Sequence, residues 1–114
     1  MELEVQDKIS ACIKVAACIC GKDGLISEVE EATIFKIVNE TFPDFGDSKI
    51  EEALVEFFNS KMQIEDYLVH INDEIFREFT IILSKRSASA DGLNIDENIA
   101  LQKAMIFYTE NAND

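Results

Sequence analysis

Apolar residues recur at intervals of three and four over residues 3–20, the spacing that places side chains on one face of an α-helix. Gly21 follows this segment, and glycine at such a position is typical of the left-handed residue that ends a helix. We therefore predict a first helix over residues 3–20, with an inward face made of Val5, Ile9, Cys12, Ile13, Ala16, Ile19 and Cys20.

A capping box predicts where a second helix begins. Ser27 is followed three residues later by Glu30, so each side chain can accept a hydrogen bond from the backbone N–H of the other. This helix should stop before Phe42-Pro43, because proline disfavours the helical conformation of the preceding residue. Its predicted inward face consists of Val29, Ala32, Thr33, Ile37 and Val38, with Ile34 and Phe35 beside it.

A loop over residues 42–47 leads to a third helix, which Asp47 or Ser48 is predicted to cap. We expect Phe42 and Phe45 in the loop to cover the end of the bundle. In the third helix the acidic residues Glu51, Glu52 and Glu56 should point outward, and the predicted inward residues are Ile50, Ala53, Leu54, Phe57 and Phe58.

The remaining pattern predicts three more helices. A short one covers roughly residues 64–70, and a long, central one begins at Asn72 or Asp73 and carries the stripe Ile75, Phe76, Phe79, Ile82 and Leu83. Asp96 is predicted to cap the last helix, and residues 110–114 to form a frayed tail. The inward residues of the last helix should be Ile99, Ala100, Ala104, Met105, Phe107 and Tyr108. The predicted fold is all-α, a single compact domain over residues 1–114 with about six helices.

Composition narrows the function classes. The chain has 114 residues, 47% of them hydrophobic, which is enough for one core, and a formal net charge of -13. Such a charge repels nucleic acid and favours cationic partners, so we expect no direct nucleic-acid binding. We see neither a membrane span nor a signal peptide and expect a cytoplasmic protein without membrane insertion. Cys12, Cys18 and Cys20 are interpreted as small hydrophobic residues in a reducing compartment.

One sequence feature occurs twice. Residues 18–28 and 87–97 each run from the end of a helical pattern through Asp-Gly-Leu to an isoleucine, and a second amphipathic segment follows. We therefore predict a helix–turn–helix pseudo-repeat, with turns near residues 21–27 and 90–96. The second copy has Asn94 as an additional residue, and Ile99 stands where the first copy has Glu30.

The segments 16–31 and 88–97 resemble the TerB-like family, which includes tellurite-resistance TerB and the N-terminal domains of some membrane-anchored J-domain co-chaperones. The resemblance extends over roughly residues 8–108 and implies a compact helical bundle with pseudo-twofold repeats. It also implies a tellurite- or stress-resistance function in which a divalent cation and membrane-bound partners take part.

The turns offer candidate ligands for Ca²⁺ or Mg²⁺, since these cations prefer carboxylate oxygens. The candidates are Asp23, Glu30, Asp91 and Asp96. Neither turn has the alternating ligands of an EF-hand, and turn and capping roles explain the same residues, so our prediction is no metal and no cofactor. No nucleophile motif accompanies the single histidine, His70, and we predict that the protein is not an enzyme.

Two acidic clusters are the candidate partner-binding surface. Aromatic side chains nearby would supply affinity while the charges accelerate association. The selected residues are Glu40, Asp44, Phe45, Asp47, Glu51, Glu52, Glu56, Glu65 and Asp66. We therefore favour a non-enzymatic protein that covers a basic protein surface, most concretely an immunity protein or antitoxin that neutralises a cationic nuclease toxin. The alternative is the TerB-type resistance function, and the sequence does not predict an oligomeric state.

Overall fold

The computed structural model describes residues 5–21, 26–60, 63–71, 73–90 and 95–111, without the side chains of 95–97, 110 and 111. Within these ranges the protein is all-helical, as predicted. The six helices are α1 (Val5–Cys20), α2 (Glu28–Thr41), α3 (Asp47–Phe58), α4 (Ile64–Leu68), α5 (Glu74–Ser89) and α6 (Ile95–Asn111). None of them is long and apolar enough to cross a membrane.

Helix α1 lies at the centre of the fold, and not α5, for which the sequence predicted that place. It packs against each of the other five helices, most extensively against α5 and then against α3. Its residues Cys12, Ile13, Val15, Ala16 and Ile19 are completely buried, because helices cover more than one side of it. In the described part of the chain α3 and α5 do not pack on each other, so α1 separates them.

The starts of α2 and α5 follow the local signals in the sequence, whereas two other termini do not. Ser27 and Glu30 form the predicted capping box at the start of α2, and Asp73 accepts a hydrogen bond from the backbone N–H of Ile75 at the start of α5. Gly46, with φ of 87°, precedes α3 at the N-cap, so Asp47 is the first helical residue and not the cap. Gly21 does not have the predicted left-handed conformation.

The ends of α6 also differ from the prediction. This helix begins at Ile95, which places Asp96 inside its first turn and not at the cap position. It continues to Asn111, so residues 110 and 111 are helical, and 112–114 lie outside the described residues. Most of both Asp-Gly turns, residues 22–25 and 91–94, also lies outside them, but the predicted helices flank both turns.

Several predicted inward faces are rotated. Val29 and Ala32 of α2 are exposed, and the buried residues of that helix are Glu30, Ile34, Ile37 and Val38. The other predicted core residues that are exposed are Val5, Phe58, Ile75, Ile82, Ile99 and Met105. In place of Ile75 and Ile82, α5 buries the polar residues Thr80, Ser84 and Ser87 against its neighbours. When a helix has apolar residues on several sides, the spacing of these residues does not determine which side the other helices cover.

Candidate partner-binding site

Two pockets adjoin one another where the first half of α1 meets the α2–α3 loop and α3. The acidic pocket has a volume of about 180 Å³, and its charged lining residues are Asp7, Lys49, Glu52 and Glu56. The apolar pocket has a volume of about 400 Å³, and Val5, Ile9, Phe42, Pro43 and Asp44 line it. Gln6 and Phe45 line both pockets, so the two are adjacent.

Phe42 and Phe45 shape the apolar pocket from the loop. The ring of Phe42 stacks on Phe76 at 5.8 Å between centroids and meets the edge of Phe79 at 5.0 Å. Phe45 is only 7% exposed, and the ammonium of Lys49 lies 6.0 Å from the centre of its ring. The sequence predicted that these two rings cover the end of the bundle, and they do. The prediction that Phe45 is exposed was wrong, because it is buried in the core, although it lines both pockets.

The acidic pocket gathers carboxylates from two helices. Asp7 comes from α1, whereas Glu52 and Glu56 come from successive turns of α3, and Asp44 stands at the border of the apolar pocket. Lys14 on α1 forms an ion pair with Glu56 at 3.0 Å, which bridges the two helices. Three lining acids stand against the lining Lys49 and the paired Lys14, so one negative charge remains in excess and the pocket is attractive to a cationic group.

The other selected acids line neither pocket. Glu40 and Glu51 are exposed on α2 and α3, and the carboxylate of Asp47 accepts a hydrogen bond from the Asn39 amide at 2.6 Å. On α4, Glu65 is ion-paired with Lys103 of α6, and Asp66 accepts a hydrogen bond from the backbone N–H of Gln63. The structure therefore brings Asp44, Glu52 and Glu56 together with Phe45, and it engages the α4 acids in local contacts.

Sequence reasoning missed the exposed apolar residues of α3. Val55 is 51% exposed and Phe58 is 59% exposed, and both share a stripe of the helix with Glu51 because they follow it by four and seven positions. We refer to Glu51, Val55 and Phe58 as the α3 outer face. The ring of Phe58 packs edge-on against half-buried Phe57 at 5.3 Å, which supports an otherwise exposed aromatic side chain. The adjacent residues Phe57 and Phe58 were the only sign of this face in the sequence, and the helical spacing of the apolar residues predicted that both are buried.

The side chain of one metal candidate is described, and those of the other three are not. Glu30 is 4% exposed, and its carboxylate accepts a hydrogen bond from the backbone N–H of Ser27 at 2.9 Å. Asp23, Asp91 and the side chain of Asp96 lie outside the described residues. Among the residues that are described, no three His, Cys, Asp or Glu side chains stand close enough together to hold an ion.

Cys12 and Tyr108 form a buried titratable pair between α1 and α6. Burial raises the pKa of the Cys12 thiol from its ordinary value of 9.0 to about 12, although hydrogen bonding with Thr80 acts in the opposite direction. Burial is also the main cause that raises the pKa of Tyr108 above its ordinary value, and proximity to Cys12 adds to it. Both groups are therefore protonated and neutral near pH 7, and Cys12 is a packing residue with little thiolate character.

Comparison of the chain with protein-family models, with curated proteins and with solved structures found no match.

Proposed function

We propose that this protein is a non-enzymatic binding protein that covers a basic surface of another protein. The observation that supports the proposal is the convergence of Asp7, Asp44, Glu52 and Glu56 on two adjoining pockets, one acidic and one apolar. A Lys or Arg side chain of the partner occupies the acidic pocket, and an apolar side chain next to it occupies the other. The net charge of -13 accelerates the encounter.

The most concrete form of this proposal is an immunity protein or antitoxin for a cationic nuclease. A nuclease carries a positively charged cleft for the phosphate backbone, so an acidic protein of this size competes with nucleic acid for that cleft. The exposed apolar residues of the α3 outer face provide the affinity that charge alone does not, since aromatic anchors contribute much of the binding energy in protein interfaces.

The test takes as partner a basic nuclease toxin, sought first among the genes adjacent to the one for this chain, and the absence of such a gene would count against the immunity form. Binding kinetics are measured at several salt concentrations for the wild type and for the triple variant Glu51→Lys/Glu52→Lys/Glu56→Lys. We expect the association rate of the triple variant to fall by roughly tenfold or more, with a weaker dependence on salt. In cells, the wild type should rescue growth on co-expression with the toxin, and the triple variant should not.

A matched control variant distinguishes the loss of the α3 acids from the change in net charge of the whole protein. The variant Glu28→Lys/Glu31→Lys/Glu74→Lys changes net charge equally, at exposed positions of α2 and α5. It should bind almost as fast as the wild type, and circular dichroism checks that both variants are folded. A normal association rate in the first variant, or equal losses in both, would remove the α3 acids and the acidic pocket from the proposal.

The TerB-type resistance function is the second candidate, and the Asp-Gly repeat supports it because helices flank both copies of the turn. Its test is a thermal melt with Ca²⁺, Mg²⁺ or chelator, since an ion that binds only the folded state raises its stability by about 2.7 kcal/mol at one hundred times its dissociation constant. A saturable rise with one ion, lost in Asp23→Asn and Asp91→Asn, would favour this candidate. No selective rise would count against it.

A further inference from the structure

The exposed side of α5 is distinct from the acidic and apolar pockets. Ile75 is 71% exposed and Ile82 is 43% exposed, and the seven positions between them correspond to two helical turns, so both lie on one stripe. Glu78 lies between them on the same side, and Arg86 is exposed one turn beyond Ile82. We refer to Ile75, Glu78, Ile82, Lys85 and Arg86 as the α5 outer face.

Charges on this side of α5 are sorted along the helix axis. Glu74 and Glu78 occupy its first half, whereas Lys85 and Arg86 occupy its second half, so the exposed side is locally balanced in a chain whose net charge is -13. The helix dipole favours an acid in the first turn and a base in the last, which accounts for Glu74 and Arg86. It does not account for Glu78 and Lys85, which lie outside these terminal turns.

A helix of this kind is complementary to a copy of itself. When two such helices run antiparallel about a twofold axis, the acidic half of each faces the basic half of the other. If the twofold axis passes through Ile82, this residue contacts Ile82 of the second copy. Glu78 then lies opposite Arg86 of the second copy, because Glu78 and Arg86 are each four positions from Ile82. Each contact then occurs twice, as symmetry requires.

We propose that the protein forms a homodimer through the α5 outer face, with the two α5 helices antiparallel. The proposal does not rest on the proposed function, because it uses none of the pocket residues. Contact between two sixteen-residue helices is small for a protein interface, so the expected affinity is on the order of micromolar.

Salt dependence distinguishes this association from binding of a basic partner. Two copies that each carry a net charge of -13 repel one another over long range, and salt screens this repulsion. Self-association should therefore strengthen as salt rises from low to moderate concentration. Binding of a cationic protein at the acidic pocket should weaken over the same range.

The test is sedimentation equilibrium of the full chain from low micromolar to submillimolar concentration. The wild type should show a monomer–dimer equilibrium, and Glu78→Lys should raise the dimer dissociation constant by about tenfold or more, because Lys then faces Arg86. This substitution makes the chain less negative, which by itself favours association, so a loss cannot result from net charge. The exchange variant Glu78→Lys/Arg86→Glu, which keeps the net charge of the wild type, should restore the dimer.

A matched pair tests the apolar part of the face. Ile75 and Val29 are each the second residue of their helix, and both are at least half exposed. Ile75→Lys should give a monomer, because the new cation replaces an apolar side chain and faces the basic half of the second copy. Val29→Lys should dimerise as the wild type does, with equal helix content in both variants. A wild type that is monomeric at every concentration and salt would overturn the proposal, as would an exchange variant no tighter than Glu78→Lys or a dimer unaffected by Ile75→Lys.

Discussion

Cys12 on α1 donates its S–H to the backbone carbonyl oxygen of Phe76 on α5, with 3.7 Å between Sγ and oxygen. The hydroxyl of Thr80 donates to the same oxygen at 2.7 Å. A polar contact therefore lies within the most extensive helix packing of the protein, where apolar residues surround it. This environment disfavours ionisation of the thiol and gives stability a dependence on alkaline pH.

Stability should decline above pH 9 because of Cys12. The raised pKa means that the folded protein keeps the thiol proton between pH 9.0 and about 12, where the unfolded chain releases it. The Cys12 thiol therefore makes its full contribution to the free energy of unfolding below pH 9. This contribution is lost as pH rises, and the free energy of unfolding falls by at most about 1.4 kcal/mol per pH unit for this one group. Urea unfolding between pH 7 and pH 10.5 measures it. Cys12→Ala should be less stable at neutral pH and show a shallower alkaline decline; an identical decline would contradict the assignment.

Ser84→Ala should stabilise the protein. Ser84 is completely buried in α5, and its hydroxyl has no hydrogen-bond partner among the residues that the structure describes. Alanine removes this unsatisfied group and favours the helix, so the free energy of unfolding should rise by about 0.5–1.5 kcal/mol. Thr80→Val is the contrast, because it removes a hydroxyl that is hydrogen-bonded and should not stabilise. Chemical denaturation of both variants tests the difference, and a loss of stability in Ser84→Ala would show that its hydroxyl is satisfied.

Glu30 should matter for the start of α2. Its carboxylate and the Ser27 hydroxyl accept one backbone hydrogen bond each, at 2.9 Å and 3.1 Å. We expect Glu30→Ala and Ser27→Ala each to cost about 1 kcal/mol, and the double variant to cost less than the sum because both belong to one capping box. Glu30→Gln should retain most of the stability, since Gln also completes a capping box.

A comparable bond at α4 is the control for this experiment. Asp66 accepts from the backbone N–H of Gln63 at an exposed position, so Asp66→Ala should cost less than Glu30→Ala. Urea titrations of the five variants decide the order. If Glu30→Ala proved no worse than Asp66→Ala, burial of the Glu30 carboxylate would not contribute to the capping energy.

Phe58→Ala should separate binding from folding. Because Phe58 is 59% exposed, its removal should change the free energy of unfolding by less than about 1 kcal/mol, whereas affinity for the basic partner should fall by about tenfold. Phe57→Ala is the matched control, since the neighbouring ring packs against the core and 6.4 Å from Tyr67. It should lower the melting temperature clearly. A Phe58→Ala variant with wild-type affinity would remove the α3 outer face from the binding surface.

Local signals predicted some helix boundaries, because a capping box, a proline and the Asp73 cap act through neighbours in the sequence, whereas the predicted caps at Asp47 and Asp96 were wrong. The Ser27–Glu30 box and the end of α2 before Phe42 are examples. The orientation of each helix depends on which other helices cover it, and Val29 and Ile75 show that an apolar residue can remain outside. For the same reason the sequence favoured Phe45 as an exposed anchor and placed Phe58 in the core, whereas the fold does the opposite.

The central position of α1 has a consequence for synthesis of the chain. Its most extensive partner, α5, begins at Glu74, so α1 leaves the ribosome long before the surface that covers it exists. Until α5 emerges, the apolar residues of α1 lack their main cover and are available to chaperones or to aggregation. Contacts as distant in sequence as Cys12 and Phe76 also raise the contact order above that of a simple helical hairpin. Truncated nascent chains that end before α5 should therefore be sensitive to protease, with protection gained in a single late step.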